Sequence, residues 1–243
     1  MAHFITSFSS RFAFNTTMKG SSVGSSASCG RVDLLPTIII FDLDDCLWTP
    51  EMHELSGMPN LSVEGPLDPT NPNSSLGTVG MKVPSRRGGR KGYDWGNSDE
   101  IVELYPGARQ ALRELATNPK YQEIQVAVAS TSLEPTYSQA CIDGIEIVKG
   151  MTMRDMISYS QIGRSGKLSS RKTGHFRLIH EESGGIPYDE MLFFDDCNWA
   201  DHVGDINKEF GVVGVRTGVG GLTIEHFHNG LDMFKLQKRN AIE

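Results

Sequence analysis

Three aspartates follow an apolar run in TIIIFDLDDCLW (residues 37–48): Asp42, Asp44 and Asp45 come directly after Ile38, Ile39, Ile40 and Phe41. The pattern returns in MLFFDD, where Asp195 and Asp196 close a second apolar run. Carboxylates gathered at one point repel each other and raise one another's pKa values. A hard divalent cation relieves that repulsion, and Mg²⁺ prefers one or two carboxylates, several waters and a phosphate oxygen. Two further residues fit such a site. Ser130 ends the run IQVAVAS, with Thr131 beside it, and Lys172 stands before a helical pattern. A lysine there can pair with a carboxylate and hold a phosphoryl oxygen.

These residues need strands to bring them together. TIIIFDL is β-branched and apolar on both faces, which suits a central parallel strand covered on both sides. Residues 124–130 and 191–196 read the same way, VVGVR is a further strand, and IEIVKG a short one. Helical signals lie between them. Pro106 opens a helix carrying Ala108, Ala111, Leu112 and Leu115, and Asn118-Pro119 closes it. Thr173 is placed to cap HFRLIHEE, with Gly184-Gly185 as its stop, and NWADHVGDINKEF ends at Gly211. LTIEHFHNGLDMF supplies a last helix. Strands alternating with helices predict a three-layer α/β/α sandwich around a parallel sheet. In open sheets of this kind ligands bind beyond the carboxyl ends of the strands, so both aspartate pairs are expected to share one crevice.

The ordered set Asp-x-Asp, Ser, Lys, Asp-Asp resembles the haloacid-dehalogenase superfamily of phosphotransferases, and more narrowly its small eukaryotic magnesium-dependent phosphatases. FDLDDCLW, VAVAS, KTGHF and GIPYDEMLFFDD carry the likeness, which covers most of residues 34–234. The resemblance implies that Asp42 is the nucleophile, forming an aspartyl-phosphate, and that Asp44 protonates the leaving oxygen and then activates water. Ser130, Thr131 and Lys172 would bind the phosphoryl group. Mg²⁺ would be held by Asp42, the backbone carbonyl of Asp44, and Asp196 or Asp195, with Asp196 favoured. Phosphotyrosine-like and sugar-phosphate-like substrates both follow from the likeness. Cys46 departs from it, since that position is often Thr or Val. Its nearness to Asp42 in sequence suggests that oxidation there blocks the site, while an inert packing role is the simpler reading.

Each part has a bland reading alone: aspartates after strands cap helices, Ser130 is a turn residue, and Lys172 is a solvated helix residue. Together they favour chemistry. A phosphoacceptor receiver domain and a dehalogenase both lack the second acid that Asp44 provides. A phospho-binding scaffold on the same fold is the non-enzymatic alternative. Trp48 is expected either at the pocket mouth or in the core, and His175 on a helix surface or packed beside the site. His202, His226 and His228 show no metal-ligand spacing.

The 243 residues fit one domain over residues 34–243. Residues 49–99 have loop composition, so the expectation is a capless enzyme or one with a small flap. Arg86, Arg87, Arg90 and Lys91 there are a candidate for attracting an anionic substrate. The net charge of −7 excludes a globally basic nucleic-acid surface, and no apolar run spans a membrane. Four scattered cysteines argue against a disulfide framework. Residues 1–33 are basic and Ser-rich, the composition of a disordered tail or a transit peptide. The expected partner is a phosphorylated protein or small molecule, acted on by a monomer. The expected compartment is the cytoplasm, or a mitochondrion or plastid if the N-terminal segment is a transit peptide.

Overall fold

The protein is described by a computed structural model, which covers residues 34–71, 73–84, 86–87, 94–95 and 100–242. The expected tail or transit peptide, residues 1–33, lies outside the described residues. So do Arg90 and Lys91 of the basic cluster, and only the backbone of Arg86 and Arg87 is described. No helix among the described residues is long and apolar enough to cross a membrane.

The first apolar run forms β1 (Ile38–Phe41). An insertion follows, made of β2 (Trp48–Thr49), β3 (Leu61–Pro66), β4 (Leu76–Lys82), β5 (Arg86–Arg87), β6 (Asp94–Trp95) and β7 (Ile101–Leu104). Then come α1 (Pro106–Thr117), β8 (Gln125–Ser130), α2 (Pro135–Gly144), β9 (Glu146–Val148), β10 (Met151–Thr152) and α3 (Met153–Met156). The chain continues through β11 (Ile157–Ile162), α4 (Thr173–Glu182), β12 (Met191–Asp195), α5 (His202–Phe210), β13 (Val213–Arg216) and α6 (Ile224–Ile242). Five strands make the main sheet in the order β11-β8-β1-β12-β13. Every pairing in it is parallel.

Alternation along the strands divides the core between the two faces. Ile39, Phe41, Val128, Leu192 and Phe194 pack toward α1 and α6, where Leu112 and Phe227 meet them. Ile38, Ile40, Ala127, Ala129 and Phe193 pack toward α4 and α5, against Phe176 and Ile206. Phe41 stacks on Phe194 at 5.4 Å on the first face, and Phe176 meets Phe193 edge-on at 4.9 Å on the second. All four residues of β1 are fully buried, and burying each such side chain is worth roughly 1.5–3 kcal/mol. The sheet is thus the three-layer sandwich expected.

Local signals set the helix ends. Pro106 occupies the first turn of α1. The Asp201 carboxylate accepts from Gly204 N at 2.9 Å to cap α5, and Gly211 ends that helix at φ 74°, a conformation that suits a residue without Cβ. At α4 the expected cap is displaced by one residue. Lys172 holds the cap position without a side-chain cap bond, and Thr173 is the first helical residue.

Two regions are richer than loop composition suggested. The insertion holds a four-stranded antiparallel sheet, β2-β7-β4-β3. It is fastened to the main body by buried Arg109 of α1, whose guanidinium donates to Val79 O at 2.6 Å and Glu146 O at 2.9 Å. Glu146 in turn accepts from Thr78 N at 2.8 Å. Residues 131–171, where the sequence shows the short strand IEIVKG, also contribute β11, an edge strand of the main sheet beside β8. Its residues ISYSQI are only partly buried or exposed, so they lack the apolar run that marks the central strands.

Candidate active site

The carboxyl ends of β8, β1 and β12, three adjacent central strands, open into one cleft of about 360 Å³. Register fixes the approach: Phe41 lies level with Phe194 and with Val128. Asp42 therefore emerges between the Ser130 end of β8 and the Asp195 end of β12. Its backbone N donates to Phe194 O at 2.9 Å, and Asp195 O accepts from Thr217 N at 2.9 Å, which prolongs the sheet past both aspartates.

Lys172 reaches this point from the start of α4 and is nearly fully buried. Its Nζ lies 2.6 Å from Asp42 Oδ1 and 2.5 Å from Asp195 Oδ2. Burial opposes the ammonium charge, but the Asp195 and Asp42 carboxylates outweigh it and raise the lysine pKa above its ordinary value. Burial is also the main force on Asp42, raising its pKa well above the carboxylate range against the pull of Lys172. Asp196 is raised by burial first and by Asp195 second.

Asp42, Asp195 and Asp196 can each direct an oxygen into a region where all three lie within 4.8 Å of one another. Three carboxylates face one ammonium, and the donors are hard oxygens. The set therefore fits a divalent cation of the Mg²⁺, Mn²⁺ or Ca²⁺ kind. The two adjacent aspartates differ in how they are committed. Asp195 uses Oδ2 on Lys172 and Oδ1 on Cys197 N at 2.9 Å. Asp196 accepts from Asn198 N with Oδ2 and also lines the cleft. Asp196 is thus the better placed of the two to present an oxygen to a cation.

Asp44 stands on the tight turn that follows Asp42. Leu43 O accepts from the backbone N of Cys46, Leu47 and Trp48, and Asp45 takes a left-handed φ of 54°, which aspartate tolerates better than most residues. The apolar residues of DLDDCLW pin this turn, because Leu43, Cys46, Leu47 and Trp48 are all buried. Trp48 lies in the core and its indole Nε1 donates to Asp44 Oδ1 at 2.8 Å. Burial raises the Asp44 pKa, and the Trp48 bond partly offsets the rise. Asp44 also lines the cleft, with Ser130 and Thr131 on its β8 side.

His175 is fully buried, so a surface position is excluded. Its Nε2 lies 3.1 Å from Ser130 O and 3.0 Å from Gly163 O. Both neighbours are acceptors, so Nε2 carries the proton and ties the end of β8 to the turn after β11. Burial drives its pKa down to about 4. Cys46 is fully buried, and burial followed by the repulsion of Asp42 raises its thiol pKa well above the usual value. A buried neutral thiol is inert, so the packing role replaces the oxidation expectation. Sequence reasoning did not find Glu51, Arg164, Asn198 and Trp199, which also line the cleft. They come from three separate loops, and no spacing along the chain connects them.

No curated protein matches the chain. Among solved structures, similarity is found to the N-terminal part of BF1531 from Bacteroides fragilis, containing a phosphatase domain complexed with Mg. That pair shows 15% identity and a TM-score of 0.49 over 83% of this chain, which spans 41% of the other. CbbY from Rhodobacter sphaeroides in complex with phosphate shows 15% identity and a TM-score of 0.44, over 82% of this chain and 100% of the other. A HAD-superfamily hydrolase from Ehrlichia chaffeensis shows 14% identity and a TM-score of 0.45, over 83% and 97%. The Acid Phosphatase family profile matches residues 34–237, nearly the whole described fold. On that match the chain belongs to the acid phosphatase family.

Proposed function

We propose that the chain is a Mg²⁺-dependent phosphomonoester hydrolase that works through an aspartyl-phosphate on Asp42. The observation that carries this reading is the convergence of Asp42, Asp44, Ser130 and Lys172 at one strand-end cleft, next to the Asp195–Asp196 pair. Asp42, Asp196 and the Asp44 carbonyl would hold Mg²⁺, which when bound neutralises the phosphoryl and carboxylate charge that otherwise keeps nucleophile and substrate apart.

An oxygen of Asp42 attacks phosphorus and the bond to the ester oxygen breaks. Asp44, kept protonated to higher pH by burial, gives its proton to the departing oxygen. Water then attacks the phosphoryl group, Asp44 accepts the water proton, and the bond to Asp42 breaks to release phosphate. Lys172 keeps Asp42 oriented and, with Ser130 and Thr131, stabilises the charge spread over the phosphoryl oxygens. The open cleft accommodates either a phosphoprotein or a small phosphate ester.

The test is chemical trapping. Brief incubation with an aryl phosphate and Mg²⁺, followed by borohydride reduction of the acyl phosphate, should convert Asp42 to homoserine in peptide mass spectra. Turnover with Asp42 unmodified, or with the label on another residue, would overturn this assignment.

A further inference from the structure

The wall of the cleft is acidic. Asp42, Asp44, Glu51 and Asp196 all line it; Lys172 at its base is committed to Asp42 and Asp195, and Arg164 is the one permanent cation on the wall itself among the described residues. Arg164 lies in the turn after β11, and that turn brings it to the end of β8. Its Nε donates to Thr131 O at 2.8 Å, one residue from Ser130. Its guanidinium also rests on the Trp199 ring, 4.8 Å from the centroid. Trp199 is itself braced edge-on by His202 at 4.7 Å and remains 52% exposed at the cleft. Among the described residues no carboxylate pairs with Arg164, and its two terminal nitrogens have no hydrogen-bond partner.

An exposed arginine usually points into water and samples many rotamers. This one is held at two points, with the forked end of its guanidinium left over. A fixed fork is suited to bidentate binding of a carboxylate or phosphate, at small further entropic loss. The surrounding carboxylates disfavour a second anion over the acidic part of the wall, and Arg164 offers it an uncommitted positive charge. We infer that the substrate is a phosphomonoester whose leaving group carries a second anionic group, a carboxylate or a second phosphate, which Arg164 receives. Trp199 is then a positioning residue that holds the guanidinium. The inference rests on the phosphatase reading for the placement of the first phosphoryl group.

Binding tests it without turnover. Calorimetric titration with Mg²⁺ present would compare alkylphosphonates with ω-carboxyalkylphosphonates and α,ω-bisphosphonates of two to four carbons. The two doubly anionic series distinguish the carboxylate from the phosphate as the second group. At least one of them should bind the wild-type chain about tenfold or more tighter than the matching alkylphosphonate. That preference should vanish in Arg164→Gln and survive in part in Arg164→Lys. Trp199→Leu should weaken it while leaving the fold intact by circular dichroism. Equal affinity of the series in the wild type, or a preference that persists in Arg164→Gln, would overturn the inference. A parallel assay of phosphate release keeps the two claims apart. Selective binding without release would sustain the role of Arg164 and overturn the phosphatase reading, while release without selectivity would do the reverse.

Discussion

Replacing Lys172 with Met removes the only charge that balances Asp42 and Asp195 from within the described residues, while keeping most of the side-chain volume. The lysine is nearly fully buried and its two contacts are 2.6 and 2.5 Å. At an effective dielectric of about 20, each contact is worth about 6 kcal/mol of Coulomb attraction before desolvation is subtracted. Breaking a buried pair from one side typically destabilises by about 3–5 kcal/mol, because the stranded carboxylates stay buried. That is a large part of the roughly 5–15 kcal/mol that holds a domain folded. Urea unfolding in chelator at about pH 8 should therefore show a loss of about 3–5 kcal/mol for Lys172→Met. The loss should shrink as pH is lowered, because protonation of Asp42, whose pKa burial raises, removes the charge left unpaired. It should also shrink when Mg²⁺ is added. A loss under about 1 kcal/mol, the size of an exposed ion pair, or one independent of pH, would refute the reasoning.

Three further outcomes follow from the same geometry. Trp48→Phe removes the donor to Asp44 and should lower kcat by about tenfold or more, with the acidic limb of the kcat–pH profile moved to higher pH; an unchanged profile would count against Trp48 as the residue that orients Asp44. Asp42 and Asp196 have pKa values raised by folding, so the folded state binds protons more tightly, and cation-free stability should fall as pH rises from the ordinary carboxylate range through the raised values. Mg²⁺ competes with those protons, so the Tm increase it gives should be larger at about pH 8 than at about pH 5; the opposite order would contradict the assigned ligands. Cys46, buried as a neutral thiol, should resist maleimide in the native protein and react after unfolding, as followed by intact mass.

The sequence is most readable where one physical signal dominates. Fully buried central strands need apolar runs on both faces, so Ile38–Phe41 and Met191–Asp195 stand out. Their terminal aspartates, Ser130 and Lys172 are brought together simply because parallel strands end on the same side. β11 is obscured because an edge strand with half-exposed Ser, Tyr and Gln carries no such run. The insertion sheet is obscured because Gly65, Pro66, Gly77 and Gly80 read as turn residues, while its stability comes from long-range pairing and from the buried clamp of Arg109. The Trp48–Asp44 bond and the Arg164–Trp199 contact have the same character. Each depends on how a loop turns in space, which residue types and spacing do not encode.

Phosphate release from an aryl phosphate by the full chain is the most direct measurement of the central claim. It is made with Mg²⁺, with chelator, and with Asp42→Asn and Asp44→Asn checked for native folding. Release should depend on Mg²⁺, disappear in chelator and in Asp42→Asn, and fall by about a hundredfold or more in Asp44→Asn. Release that is indifferent to chelator, or that survives in Asp42→Asn, would contradict the aspartyl-phosphate mechanism.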